Sequence, residues 1–481
     1  MSQPKTKLDH HRVPFATIRE LNTALQNREI SSHEVTKILG KRLDSIGPQY
    51  NALACSLTKK AHRPAKDADS DLKRQRFRGF LQGIPYAVKD LLAVAGHPTT
   101  WGAKPYEDQV FDYSATVVNR LNSKGGVLIG KLAMVELAGG GGYSSAAASL
   151  QGPGLNPWNK SYWSGGSSSG SAAAVAAGLV PYALGSETSG SIITPACFCG
   201  VTGLRPTYGL VSRAGAMALS WTLDKIGVFA RTADDCGLAL HEMAGADDND
   251  PGSARKSFYY APEYYRRFAD MKIGFAEIDF VEWPDAPLRP AFQNALSVVK
   301  SFCPQMVETK LPDFPYGTVI GTIIDSEAAS SFEQLIRSGR VDQLQDQSQI
   351  DGLKASMTYS ALDYLKAMRI RTQIRTAFSD LFGGLDMLIA PTRFNLPDRS
   401  DRPFDETPPQ QPAQKGVGAG LVQASNLLGL PALSIPCGFA NGLPIGLQIV
   451  GPIFSENRLL AFGREFQNRT NFHQQHPSIE A

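Results

Sequence analysis

The chain has 481 residues, of which 42% are apolar and 19% charged, with a formal net charge of +3. That length holds one large domain or two to three ordinary ones, and the composition describes a packed globular protein rather than a disordered or fibrous one. A charge of +3 over this length argues against nucleic acid or an anionic membrane as the main partner.

The N-terminus, MSQPKTKLDHH, is polar and has no apolar segment behind it, so neither a signal nor a transit peptide is expected. Thr17 with Glu20 and Ser31 with Glu34 match helix-opening capping boxes, in which side chains satisfy the free N–H groups of a first turn. Ile18, Leu21 and Leu25, then Val35, Ile38 and Leu39, fall on single faces and predict two amphipathic helices, an N-terminal helical collar over 1–80. The basic cluster at 59–78 carries interleaved Asp residues and predicts a solvated helix face. From about 80 to 245, short apolar runs (YAVKD, GVLIGK, GLVPYALGS) alternate with helical stretches at 115–121 and 171–178, the pattern of an α/β layered sheet. The longest apolar run, 172–184, is shorter than a membrane span requires and is expected to be a buried helix.

The stretch 246–420 is aromatic-rich and helical in period and predicts a cap over one side of the sheet, closing on an exposed Pro-rich and charged loop at 397–416. DMLIAP (386–391), PALSIP and IGLQIV return to strand character and are expected to complete the same sheet, with 421–481 as the C-terminal part of the core laid down by 81–245 within one domain. Six scattered cysteines suit a reducing cytoplasm, and the Cys197/Cys199 pair has no second cluster to complete a metal site.

Two motifs mislead. Residues 125–131 satisfy G-x-x-x-x-G-K, but Leu132 stands where a Mg²⁺-holding hydroxyl is needed and Val127, Leu128 and Ile129 read as strand. Gly166-Ser167-Ser168-Ser169-Gly170 satisfies the nucleophile elbow of α/β-hydrolases, with Ser168 as nucleophile. An esterase of that kind needs a downstream acid and histidine, and His241, His473 and His476 stand in no distinctive context.

Three segments stand out together: GIPYAVKDLLAVAG (83–96), SGGSSSGSAAAVAAG (164–178) and LGSETSGSIITPACFCGVTGLRPTYGLVS (184–212). The Ser/Gly run opens directly onto an Ala-rich helix, where flexible linkers are rare. Lys89 ends an apolar strand and is followed by Leu91, Leu92 and Val94, which points to a buried amine. These segments resemble the amidase signature family in order and spacing, with 24 residues from Ser167 to Ser191. The resemblance extends to GKLAMVEL (130–137), NPW (156–158) and the stretch 423–456.

The resemblance implies an α/β fold with a mixed central sheet sandwiched by helices, and a serine hydrolase acting on amide-type C–N bonds. Ser191 matches the family nucleophile, Ser167 the serine that follows a cis peptide bond, and Lys89 the base. A lysine removes a serine proton only when neutral, so its pKa must fall from ~10.4 by desolvation. Backbone N–H groups of Thr188, Ser189, Gly190 and Ser191 are expected to form the oxyanion hole, and Ile193, Thr194, Gly140 and Gly141 to line the substrate. No metal or organic cofactor is required, and the expected partners are a small amide substrate and water, the chain acting as monomer or homodimer.

The sequence departs from the family pattern. Ser189-Gly190 replaces a Gly-Gly pair, and a serine would be strained at 189 if the backbone there needs glycine's conformations. Glu187 stands where Asp is common and Trp163 where Pro is common. Members with charged substrates often place Arg within three residues of the nucleophile; Ile193 and Thr194 cannot pair with a carboxylate, which favours neutral, apolar or aryl-bearing substrates. Tyr259, Tyr260, Tyr264, Tyr265, Phe314 and Tyr316 are candidates to line a funnel for them. The leading expectation is thus a free-standing amidase, extending to anilides, esters or carbamates. The glutaminase subunit of a tRNA amidotransferase is the alternative, ahead of a catalytically dead scaffold.

Overall fold

The first helices begin where their capping residues stand. In the computed structural model, which describes residues 9–262, 267–404 and 416–479, Ile18–Gln26 (α1) opens on Thr17 and Ser32–Ile46 (α2) on Ser31. In each, the hydroxyl accepts the N–H of the glutamate three residues on, and that carboxylate accepts the N–H of the capping residue. Ile18, Leu21, Leu25, Val35 and Leu39 are buried, as their spacing predicts. Thr58–Lys73 (α3) buries Ala61, Ala65, Ala68 and Leu72 and exposes Lys59, Lys60, Arg63, Lys66 and Lys73, the expected solvated face.

The strands are Leu53–Ser56 (β1), Pro85–Lys89 (β2), Val127–Leu132 (β3), Leu155–Asn156 (β4), Asn159–Trp163 (β5), Tyr182–Glu187 (β6) and Thr202–Arg205 (β7). They continue with Lys225–Ala230 (β8), Ile273–Phe275 (β9), Met306–Glu308 (β10), Met387–Pro391 (β11), Ala432–Ala440 (β12) and Leu443–Val450 (β13). Among the described residues β4 and β5 pair with each other, and the other eleven form one sheet in the order β1-β3-β2-β6-β8-β7-β12-β13-β11-β9-β10. The sheet is mixed: β2 runs parallel to β3 and β6 and β9 parallel to β10 and β11, while β8, β7, β12 and β13 pair antiparallel. Strands β2, β6 and β8 are buried along their whole length, which fits their near-continuous apolar sequences.

Between the strands lie Thr116–Ser123 (α4), Ser169–Ala176 (α5), Ile193–Cys199 (α6), Ala233–Met243 (α7), Ile278–Val281 (α8) and Arg289–Phe302 (α9). Tyr316–Ser331 (α10), Glu333–Arg337 (α11), Gln347–Ser356 (α12), Ala361–Gly383 (α13), Gly418–Leu427 (α14) and Glu456–Arg469 (α15) follow. Helices α2, α5, α7, α9 and α15 bury apolar side chains in one large cluster with the sheet, and α10, α13 and α14 form a second with β11. The collar reaches under α5: Arg42 donates to the carbonyls of Ala177 (3.0 Å) and Gly178 (3.1 Å) at its C-terminal end.

Two expectations are corrected. The run 172–184 is not one helix: α5 ends at Ala176, Gly178 turns at φ +64, and β6 starts after Pro181. A side chain at 178 would run into Phe15 and the Pro14 carbonyl, so the turn is pinned against the collar. The stretch 246–420 is not purely a helical cap, because besides the expected strand at DMLIAP (β11) it adds β9 and β10 to the main sheet. The described part of the loop at 397–416 is exposed at 401–403, as expected, and is tied down at its start: the Trp163 N–H donates to the Asp398 carbonyl and the Ser400 N–H to that of Ser161. Residues 405–415 of that loop lie outside the described residues. Among the described residues no helix is long and apolar enough to cross a membrane.

Candidate active site

Strands β2 and β6 lie side by side and parallel, with Val88 opposite Leu184, so the residues that end them meet at one rim of the sheet, where open α/β sheets bind ligands. Strand β2 delivers Lys89 to this rim. Its ammonium group is fully buried and donates to Ser167 Oγ at 2.8 Å and to Ser186 Oγ at 3.0 Å. Burial pushes Lys89 down from the ordinary lysine value to about 7, opposed only in part by the charges of Asp224 and Glu187.

Ser167 comes from the loop before α5, and the Gly166–Ser167 peptide bond is cis. Gly165 holds φ +85 and approaches α6 so closely that a Cβ would sit 2.7 Å from Pro195 Cα, which requires glycine. The neighbouring serines stitch the loop to β6: Ser168 Oγ donates to the Ser186 carbonyl (3.1 Å) and accepts its N–H (3.3 Å), and Ser171 Oγ donates to the Leu184 carbonyl (2.9 Å). Ser168 is thus spent on structure.

The loop 188–191 links β6 to α6. Its positive φ falls on Gly190 (+89), whereas Ser189 is absent from the residues with positive φ, so the Ser189-Gly190 replacement carries no left-handed strain. Among the described residues the N–H groups of Ser189, Gly190 and Ser191 make no hydrogen bond, and neither does Ser191 Oγ. The Lys89–Ser167 hydrogen bond is made, and none joins Ser167 to Ser191.

Beneath the loop sits a buried charge network. Glu187 accepts the N–H groups of Ile192 (2.7 Å) and Ile193 (3.0 Å), pairs with Arg205 (2.5 Å) and receives Asn426 Nδ2 (2.8 Å). Burial alone would raise its carboxyl, but Arg205 and Lys225 outweigh this and hold it at about 2. Lys225 Nζ donates to Asn426 Oδ1 (2.7 Å) and the Thr188 carbonyl (3.4 Å), and burial pushes it well down. Asp224 accepts the Thr188 hydroxyl (2.6 Å) and the N–H groups of Leu219 and Ser220 (2.9 Å each); burial raises it despite these bonds.

The family model described as Amidase matches residues 34–460. The chain belongs to the amidase signature family. This amidase signature protein is 36% identical to the A subunit of the glutamyl-tRNA(Gln) amidotransferase of Halorhodospira halophila, over 96% of this chain and 98% of that one. Among solved structures it resembles the peptide amidase of Stenotrophomonas maltophilia, with TM-score 0.79, 27% identity, and coverage of 95% of this chain and 97% of that one. It also resembles a protein from a vestigial complex that reveals the evolutionary origins of an s-triazine catabolic enzyme, with TM-score 0.85 and 28% identity over 94% of this chain and 98% of that one.

In this amidase signature protein a cavity of about 180 Å³ opens beside the loop, touching Ser186, Thr188 and Asp224 and walled by Leu91, Met217 and Ile226. Ser167 and Ser191 are not part of its wall. Ile193, Thr194, Gly140 and Gly141, expected to line substrate, are not part of this wall either. Ile193 is fully buried in the apolar cluster with Leu223 and Leu421, and Thr194 opens α6 with its N–H on the Gly190 carbonyl. Gly140 packs on Leu219 and Gly141 on the backbone of α12. Tyr260 is tied to Asp234 on α7, Tyr259 rests near His241, and Tyr316 packs edge-on against Phe378, so these do not form a funnel at the cavity. Tyr264 and Tyr265 lie outside the described residues.

Ser186, Asp224, Lys225 and Arg205 are neighbours of the candidate residues and their loop that motif reasoning does not single out. A signal for two of them exists: Lys225 heads the apolar run KIGVFA and Arg205 sits in TGLRP, and a charge inside a buried run must have a partner.

Proposed function

We propose that this chain hydrolyses a neutral amide C–N bond through an acyl-enzyme on Ser191, with Lys89 as base and Ser167 carrying the proton between them. Anilides, carbamates and esters fall within the same chemistry. The observation that carries the reading is the buried Lys89 amine, 2.8 Å from Ser167 Oγ and held at about 7. Near neutral pH about half of the molecules have a lone pair on Nζ; Ser186 Oγ accepts one N–H and turns that lone pair toward Ser167.

Ser167 gives its hydroxyl proton to Lys89 as it takes that of Ser191, and the Ser191 oxygen bonds to the carbonyl carbon. The π pair moves onto the carbonyl oxygen, which faces the loop 188–191, where Ser189, Gly190 and Ser191 hold unspent N–H groups. Each such donor is worth about 3 kcal/mol in the transition state. Collapse breaks the C–N bond, and the departing amine takes the proton back through Ser167. Water then repeats the path and releases the acid.

A neutral substrate is favoured because both cations lining the cavity are engaged. Arg213 is paired with Asp250 (2.7 Å), and Lys225 is bonded to Asn426. The second reading, a glutaminase subunit of a tRNA-dependent amidotransferase, draws support from the curated relatives that carry the amidotransferase name. Purified alone, the protein is expected to hydrolyse a simple aryl amide without ATP or partner, and a fluorophosphonate is expected to label it but not its Ser191→Ala variant. Activity on glutamine only, and only with a partner present, favours the second reading; labelling that persists in Ser191→Ala refutes the mechanism.

A further inference from the structure

Behind Trp221 lies a second space. The indole lines the cavity beside the loop on one side, and on the other it lines an open groove of about 400 Å³ with Met357, Tyr359 and Tyr364. Trp221 and Tyr359 are 43% and 42% exposed, and two exposed rings around one groove that shares Trp221 with an inner cavity mark a binding surface.

The groove is held in shape. Tyr364 donates to Glu327 (2.8 Å) and Tyr359 to Asp325 (3.2 Å), which fixes both rings. The Trp221 carbonyl accepts Tyr208 Oη (2.6 Å) and Arg213 Nη1, which fixes the loop that carries the indole. Its charges are spent. Glu327 accepts the hydroxyls of Ser220 and Thr222 besides Tyr364, Glu333 is paired with Arg337 (2.6 Å), and among the described residues no cation lines the groove. The inner cavity, at about 180 Å³, has room for a single ring, since a cavity of about 150 Å³ holds benzene.

We infer that Trp221 divides a two-part binding path in which the inner cavity takes one aryl or apolar end of the substrate and the outer groove stacks a second ring. The preferred substrate is then an elongated neutral amide with a ring toward each end. This rests on the amidase reading above, and it names a substrate class and three residues, Trp221, Tyr359 and Tyr364, that select it.

The test compares kcat/KM for a compact anilide with two derivatives, one bearing a phenyl-terminated arm on the acyl side and one on the amine side. In the unaltered enzyme one of the two arms raises kcat/KM about tenfold, mainly through KM, the worth of one aromatic face. Trp221→Ala and Tyr359→Ala each bring the ratio of extended to compact substrate toward one, while Trp221→Phe keeps most of it. The inference is overturned if neither arm helps an enzyme that hydrolyses the compact anilide, or if the gain survives both alanine substitutions. An enzyme that hydrolyses none of the three compounds refutes the amidase reading itself, and the two-part path with it.

Discussion

The pH dependence of turnover puts the neutral amine of Lys89 to a direct test. A lysine at its ordinary 10.5 is neutral in about one molecule in 3,000 at pH 7, whereas at about 7 half are neutral. Burial therefore raises the working fraction by about 1,500-fold, equivalent to about 4 kcal/mol at that pH. In initial-rate assays on an aryl amide, kcat/KM is expected to rise about tenfold per pH unit below about 7 and to level off above it. Asp224→Asn removes the charge that most opposes the burial effect, so the midpoint should move down. A rate that keeps climbing to about pH 10, or a midpoint that stays put or rises in Asp224→Asn, would refute the reasoning. The same shift affects stability with a fixed sign: the unfolded chain holds the Lys89 proton up to about 10.5 and the folded chain only to about 7, so this residue makes folding more favourable as pH rises between those values.

Other substitutions separate structure from chemistry. Ser168→Ala removes bonds to both backbone groups of Ser186 and should cost about 1–3 kcal/mol in denaturant unfolding while retaining measurable turnover, unlike Ser191→Ala. Glu187→Ala leaves Arg205 buried without its carboxylate and should cost about 3–5 kcal/mol, seen as a lowered unfolding midpoint. Because Glu187 is held at about 2, its stabilisation is complete above the ordinary 4.5 and is lost as pH falls toward 2, so the difference between the wild type and Glu187→Gln should shrink across that range. Gly190→Ala should cost about 1–2 kcal/mol from its φ of +89 and lower kcat further by tilting the free N–H groups, whereas Ser189→Gly should leave kcat/KM nearly unchanged; equal losses in both would contradict the assignment of the turn.

What can be read from the sequence is local or carried by motifs. The two capping boxes, the buried strand YAVK and the order of the three segments suffice for the first two helices, for the α/β core and for the closeness of Lys89 to Ser167, because each signal is confined to a few neighbouring positions. The misses are long-range. Asn426 meets Glu187 across 239 positions, a pairing no periodicity carries. Strands β9 and β10 have three residues each, too few for an alternation to register, and they exist because β11 offers an edge to pair with. The run 172–184 is apolar enough for one helix, and only the turn at Gly178 against the collar divides it. The aromatics mislead for the same reason: Tyr260 and Tyr316 have the composition of a funnel, yet which face a ring shows is settled by packing, and the rings beside the cavity and groove are Trp221, Tyr359 and Tyr364.

The guanidinium of Arg42 holds the carbonyls of Ala177 and Gly178, just past the end of the helix whose first turn follows Ser167. A cation at that end steadies the helix from below, as the unpaired carbonyls there carry partial negative charge. Trimming the front of the chain back to the first sheet-forming segment would thus do more than shorten it. Ser167 would be left standing on a frayed support, and the damage would surface at the opposite end of the helix from the severed contact, read at the bench as a loss of turnover rather than as a missing domain.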